Sequence, residues 1–137
     1  ASRYGRWQDY VQRVDREFCL ILQAETREAM RNLDNILAVP GVDAIFFGPA
    51  DLAADMGLTG QPGHADVIEA IKTGIAQTKQ AGKAAGVISV VPDQVMTYIE
   101  SGATLTAVGL DAHLLARATE AAIQTIQQRQ AAFAQTT

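Results

Sequence analysis

Two carboxylates, one amide and a glycine-proline turn are the residues of this sequence whose types and spacing suit chemistry. Gln23 and Glu25 stand at the end of the apolar run Phe18-Cys19-Leu20-Ile21-Leu22-Gln23-Ala24. Gly48-Pro49-Ala50-Asp51 follows the apolar run that starts at Val42. In a parallel α/β sheet the functional side chains sit just past the carboxyl ends of the strands. Consecutive parallel strands are generally neighbours, about 5 Å apart, so Glu25 and Asp51 are expected to face one spot. Their repulsion there is costly unless a proton or a cation is shared. A hard divalent ion such as Mg²⁺ takes one or two carboxylates and completes its shell with water and substrate oxygens. The bland alternative is that both residues cap helices. Gly48 permits close backbone approach, and the N–H groups of Ala50 and Asp51 at a helix start suit a substrate carboxylate. An ordinary strand-to-helix turn with Asp51 as its cap is the alternative there too.

Other chemically capable residues read as structural. Cys19 lies mid-strand and is expected to be a buried, inert thiol. His64 and His113 have no partner at metal-ligand spacing and are expected at the surface. Arg27 suits a solvated helix face, with anion binding as its other use. Tyr4, Trp7 and Tyr10 are expected to pack. Gly86, alone in a strand, marks a close approach or a bulge.

The elements that must position these residues alternate along the chain. Residues 18–24 read as a strand buried on both faces. Thr26 is a fitting N-cap, Glu28 suits the first helical turn, and Ala29, Met30, Leu33, Ile36 and Leu37 keep helical spacing up to Pro40-Gly41. A second strand covers 42–48 and runs into a short helical segment. A Gly/Pro-rich loop, 56–63, precedes a helix from about Ala65 to Gln80 with Val67, Ile68, Ile71 and Ile75 as its stripe. A third strand covers 85–91, a helix opens at Pro92-Asp93, and a fourth strand covers 105–109. Asp111 is placed to cap a last helix carrying Leu115, Ala118, Ala122, Ile126 and Phe133. Residues up to Val14 suggest the end of an earlier helix.

Such alternation predicts an α/β fold with a parallel sheet and right-handed crossovers. Four strands alone would leave two strongly apolar edges, which folded proteins avoid. Half of an eight-stranded β/α barrel shows this pattern, because the other half covers both edges. The chain has 137 residues, 11 Lys plus Arg against 15 Asp plus Glu, and a net charge of −4. With 48% apolar and 19% charged residues it is not a disordered segment. Its acidic balance argues against a nucleic-acid partner. A single cysteine excludes an internal disulfide framework. No apolar run reaches the roughly 18 residues that span a membrane, so no membrane partner and a cytoplasmic location are expected. No GxGxxG or GxxxxGK[ST] supports a nucleotide site.

Gln23-Ala24-Glu25-Thr26-Arg27-Glu28-Ala29 and the stretch from Val42 through Gly48-Pro49-Ala50-Asp51 to Gly57 together resemble the HpcH/HpaI aldolase family of class II pyruvate aldolases. Ala107-Val108-Gly109-Leu110-Asp111 and Leu114-Leu115-Ala116-Arg117 match the family's last strand and helix. The resemblance spans essentially the whole chain and implies that residues 1–137 are the C-terminal half, strands five to eight, of one (β/α)8 TIM-type barrel with a swapped last helix. Family members are about twice this length, so the start at Ala1 is expected to lie inside a longer protein. The implied partners are the N-terminal half of the same barrel and further copies, in a hexamer built as a trimer of dimers.

By the same resemblance, Glu25 and Asp51 ligate a divalent metal (Mg²⁺, Mn²⁺ or Co²⁺). Gln23 contacts substrate, Ala50 and Asp51 hold the carboxylate of pyruvate, and Ile88 and Leu110 line the aldehyde pocket. The implied reaction is the reversible retro-aldol cleavage of 4-hydroxy-2-oxo acids, such as 4-hydroxy-2-oxoheptanedioate in aromatic catabolism, to pyruvate and an aldehyde through a metal-stabilised enolate. The catalytic base and the arginine on the keto oxygen are expected in the N-terminal half, so no catalytic residue is assigned here and this half alone is expected to be inactive. A 2-keto-3-deoxy sugar-acid aldolase or an oxaloacetate decarboxylase would use the same site. A reading of another class is a non-catalytic, doubly wound four-stranded binding module.

Overall fold

Alternating apolar strand segments and helical segments follow the predicted alternation, in the order α1 (Tyr10–Glu17), β1 (Ile21–Ala24), α2 (Arg27–Arg31), α3 (Leu33–Leu37), β2 (Ala44–Phe47), α4 (Pro49–Asp55), α5 (Ala65–Gln80), β3 (Ala84–Ile88), α6 (Pro92–Ser101), β4 (Leu105–Ala107) and α7 (Asp111–Ala134). This is a computed structural model, and it describes residues 2–134; Ala1, expected to lie inside a longer protein, and residues 135–137 lie outside the described residues. All four strands are parallel and neighbour one another in chain order, β1-β2-β3-β4.

That order answers the choice between a half-barrel and a doubly wound module. A doubly wound sheet reverses its strand order at a switch point; this sheet does not reverse. Right-handed crossovers that always advance in one direction place every helix on one face. Leu22, Ala24, Ile45, Phe47, Ala85 and Val87 share that face by the ladder register, and most are fully buried with Leu33, Leu52, Val67, Ile71, Ile75 and Tyr98. Their neighbours along each strand point to the other face. There Ile21, Gln23 and Leu105 are exposed, and Phe46, Ile88 and Ala107 are half-buried. An apolar sheet face with no helix over it is the interior of a β/α barrel cut in half. The fold is the half of a TIM-type barrel that the sequence predicted.

Two glycines let this sheet pack. A Cβ on Gly74 of α5 would fall 2.6 Å from Cε1 of Phe47 and 2.8 Å from Cε of Met30, so the helix presses its bare backbone onto the Phe47 ring. A Cβ on Gly86 would fall 2.6 Å from Cδ2 of Phe46. Gly86 is thus a close approach, and the ladder runs through it without a bulge.

Several expectations are corrected. The first strand starts at Ile21, not Phe18. Leu20 still ties to Asp43, by its N–H to Oδ2 at 2.7 Å and by its carbonyl to the Asp43 N–H at 2.9 Å. Phe18 and Cys19 precede the β2 register, so they are exposed and Cys19 is no buried thiol. The third and fourth strands end at Ile88 and Ala107, with Val90, Val91 and Val108 exposed. The helix expected up to Leu37 is interrupted at Asn32 (φ −97°, ψ 10°), whose Oδ1 accepts from Asn35 Nδ2 at 2.6 Å. Tyr4 and Trp7 are exposed rather than packed, with Arg3 5.0 Å from the Trp7 ring centre. The α5 bounds, the Thr26 cap on Ala29 N–H (3.0 Å) and the Pro49 and Pro92 helix starts stand as read. Asp111 is the first residue of α7; its Oδ1 accepts from the Ala112 N–H at 2.7 Å. No residue of α7 is buried. No helix among the described residues is long and apolar enough to cross a membrane.

The hydroxyl of Tyr98 is buried with no hydrogen-bond partner among the described residues, and burial pushes its phenol up from the ordinary tyrosine value. A desolvated, unpaired hydroxyl costs about 1–3 kcal/mol. Tyr98→Phe keeps the ring and removes the orphan, so urea unfolding should show a gain of about 1 kcal/mol; a loss of stability would show that the hydroxyl has a partner.

The clasp between α2 and α4 gives a pH signature. Asp55 Oδ2 accepts from Arg27 N–H at 2.8 Å and from Arg27 Nε at 3.1 Å. The backbone N–H of Arg27, then its guanidinium, hold the Asp55 carboxyl below the usual carboxylate range. A depressed native value makes the contribution complete above the unfolded value and lost as pH falls through the native one. The stability difference between wild type and Asp55→Ala should therefore be full at neutral pH and shrink below the carboxylate range; a difference independent of pH would contradict the ion-pair account.

Candidate functional site

β1 and β2 run in register, Gln23 opposite Phe46 and Ala24 opposite Phe47, and the Gly48 N–H donates to the Ala24 carbonyl at 3.3 Å. Glu25 and Gly48 are therefore the next pair beyond the ladder. Side chains alternate along a strand, so Gln23 and Glu25 belong to the helix-free face, the barrel interior. Their side chains lie over the bare Cα of Gly48. A Cβ there would fall 2.9 Å from Glu25 Oε2, 3.1 Å from Glu25 Cβ and 3.3 Å from Gln23 Nε2. Gly48 has φ −104° and ψ 94°, which any residue adopts, so its requirement is the space and not the backbone.

Gly48 is also the N-cap of α4, with Pro49 at the helix start and no side chain capping the turn. Ala50 and Asp51 follow in the first turn, where amide N–H groups have no acceptor within the helix. Asp51 is exposed and contributes the carboxylate of that turn. Of the sequence-predicted residues, the structure thus packs Gln23 and Glu25 together on Gly48. It places Ala50 and Asp51 on the turn that Gly48 opens.

Two carboxylates and an amide are an all-oxygen-capable set. Among the described residues no group of three or more His, Cys, Asp and Glu side chains is arranged to hold a metal ion. A closed Zn²⁺ site needs four such ligands, whereas Mg²⁺-like ions need one or two carboxylates and keep water or substrate oxygens. The cradle on Gly48 fits the second kind of ion.

The remaining candidates have other work. Nδ1 of His64 accepts from the Asp66 N–H at 3.2 Å and caps α5, and His113 is half-buried near the start of α7. Arg27 lies exposed on α2, as expected for a solvated helix face, and is paired there with Asp55. One cluster escaped the sequence reading. Ser89 Oγ donates to Gln94 Oε1 at 2.9 Å and accepts from the Val91 N–H at 3.1 Å. The signal for it was a serine three residues before Pro92, the spacing of a side-chain turn that starts a helix. Ser89 and Gln94 border a pocket of about 200 Å³ together with Pro49, Ala50, Ile88 and Leu110. Ile88 and Leu110 are the two residues expected to share a pocket.

Known proteins are similar to this chain in both sequence and fold. The family model for HpcH/HpaI aldolase/citrate lyase matches residues 4–118. A 4-hydroxy-2-oxo-heptane-1,7-dioate aldolase of Shigella sonnei is 50% identical over 121 residues, covering 88% of this chain and 46% of that protein. The crystal structure of a HpcH/HpaI aldolase/citrate lyase family protein from Burkholderia cenocepacia superposes with a TM-score of 0.85 at 37% identity, over 93% of this chain and 49% of that one. A HpcH/HpaI aldolase from Desulfitobacterium hafniense superposes with a TM-score of 0.79 at 31% identity, over 88% of this chain and 47% of that one. The chain spans about half the length of the relatives it matches. Sequence and fold agree over the same residues, so this chain belongs to the HpcH/HpaI aldolase/citrate lyase family.

Proposed function

We propose that these residues form the metal-holding half of a divalent-metal-dependent pyruvate aldolase, a carbon–carbon lyase acting on 4-hydroxy-2-oxo acids. The observation that carries this reading is the packing of Gln23 and Glu25 on the bare Cα of Gly48, at the mouth of the helix-free face. The names of the relatives agree with it. Glu25 and Asp51 would hold the ion, of the Mg²⁺, Mn²⁺ or Co²⁺ kind. When bound, such an ion supplies Lewis-acid stabilisation of negative charge on an oxygen.

The chain's own groups have distinct tasks. The N–H groups of Ala50 and Asp51 orient the carboxylate of the 2-oxo acid, as uncapped helix starts do for anions. Gln23 offers a neutral amide beside Glu25, which fixes the substrate without adding charge. In the cleavage direction the 4-hydroxyl loses its proton and the C3–C4 electron pair passes to the pyruvate fragment. The aldehyde leaves, and C3 then takes up a proton. The base that moves these protons and the arginine on the keto oxygen belong to the half of the barrel that residues 1–137 do not include. That half would also cover the apolar interior face, and further copies would cover the exposed stripe of α7 in a hexamer.

Cleavage of 4-hydroxy-2-oxoheptanedioate, with pyruvate measured as product, tests the reading in the complete barrel. EDTA should abolish turnover and added Mn²⁺ or Mg²⁺ should restore it. Glu25→Gln and Asp51→Asn should each lower kcat by about a hundredfold or more while far-UV circular dichroism stays unchanged. Wild-type turnover in both variants would refute the assignment. Pyruvate released faster from oxaloacetate than from the hydroxy acid would favour a decarboxylase.

A second prediction comes from the cradle. In Gly48→Ala the new methyl would meet Glu25 Oε2 and Cβ inside contact distance, so the carboxylate must move. Metal affinity should fall by about ten- to a hundredfold, the range for a disturbed ligand shell, and isothermal titration with Mn²⁺ would measure it. Unchanged affinity would mean that Glu25 is not a ligand.

A further inference from the structure

The pocket at the carboxyl ends of β2, β3 and β4 is separate from the Gly48 cradle but adjoins it through Pro49 and Ala50. Its walls are mostly apolar, from Pro49, Pro62, Ile88 and Leu110, and none of its lining residues carries a charge. Ile88 lies on the same strand face as Phe46 and Gly86, the helix-free interior. A substrate seated on Ala50 and Asp51 has this space beside it.

Gln94 is a lining side chain whose amide is hydrogen-bonded on one side and close-packed on the other. Its Oε1 accepts from Ser89 Oγ at 2.9 Å, and Ser89 is itself fixed by the Val91 N–H. Its Nε2 rests on Gly63, where a Cβ would fall only 2.4 Å away. No left-handed backbone conformation explains a glycine at 63, so what the site requires is room for the Gln94 amide. Gln94 comes from α6, Ser89 from the end of β3 and Gly63 from the loop before α5, so three segments meet at one amide.

Resting on the pyruvate aldolase reading above, we propose that Gln94, locked between Ser89 and Gly63, is a specificity-determining residue. It closes the apolar pocket and sets the length and branching of the aldehyde chain accepted beside the pyruvate unit. The polar lock fixes the wall's position, and the apolar surfaces receive the carbon chain. Differences of one methylene in such a pocket change discrimination by about ten- to two-hundredfold.

Two assays on the complete barrel separate this proposal from the reading it rests on. Deuterium exchange at C3 of pyruvate in D₂O, followed by NMR, reports on the pyruvate half alone. Aldol addition to propanal and to hexanal reports on the pocket. Gln94→Ala should raise the hexanal-to-propanal ratio of kcat/KM by on the order of tenfold, chiefly through the KM for hexanal, with pyruvate exchange unchanged. Gly63→Ala forces the amide to shift and should lower that ratio. The double variant should behave like Gln94→Ala, because the clash is gone. Gln94→Asn, which keeps the amide and shortens the chain, should give a smaller change of the same sign. An unchanged ratio in Gln94→Ala and Gly63→Ala with exchange intact would overturn the proposal. So would an equal loss of exchange and addition in both Gln94 variants, which marks a structural role. Absence of exchange in the wild type would instead sink the pyruvate reading itself.

Discussion

In-register pairing of β1 with β2 is the constraint on which the candidate site depends. Because Ala24 and Phe47 are partners, the strands end level, and Glu25 and Gly48 become neighbours without any further device. Side-chain alternation then puts Gln23 and Glu25 on one face. A slip of one residue would turn both into the helix layer, and the buried residues Ala24, Ile45 and Phe47 forbid it. The same hydrophobic pattern that stabilises the half-barrel therefore aims the polar residues.

The covered and uncovered faces of the sheet divide the labour. The covered face is a dense core in which α5 presses Gly74 onto Phe47 and α6 delivers Tyr98. At the carboxyl ends of the strands lie the Gly48 cradle, the turn carrying Ala50 and Asp51, and the pocket that Gln94 borders. The Arg27–Asp55 clasp ties the start of α2 to the end of α4. It holds α2 against α4, the two helices that follow Glu25 and Gly48.

Much of the architecture was legible in the residues. Strand and helix periods, the proline starts at 49 and 92, and the caps gave the element order and most helix starts, because these are local signals, while the strands were read too long. The half-barrel followed from counting four parallel strands with apolar edges. The misread strand residues share one cause. Phe18, Cys19, Val90, Val91 and Val108 look like strand residues by composition, yet they are exposed. Whether a residue with strand propensity joins a ladder depends on a partner at the same level, and that is non-local.

The sequence by itself determined the candidate chemistry: an amide and a carboxylate two residues apart after one strand, and a Gly-Pro-Ala-Asp turn after the next. Residue type and strand-end position are both properties of the chain. The tertiary structure alone decided why position 48 is glycine, that Arg27 is engaged by Asp55, and that Gln94 is held by Ser89 and Gly63. Each of these is a contact between segments with no sequence periodicity linking them. Only the packing of the elements sets which backbone passes close to which side chain.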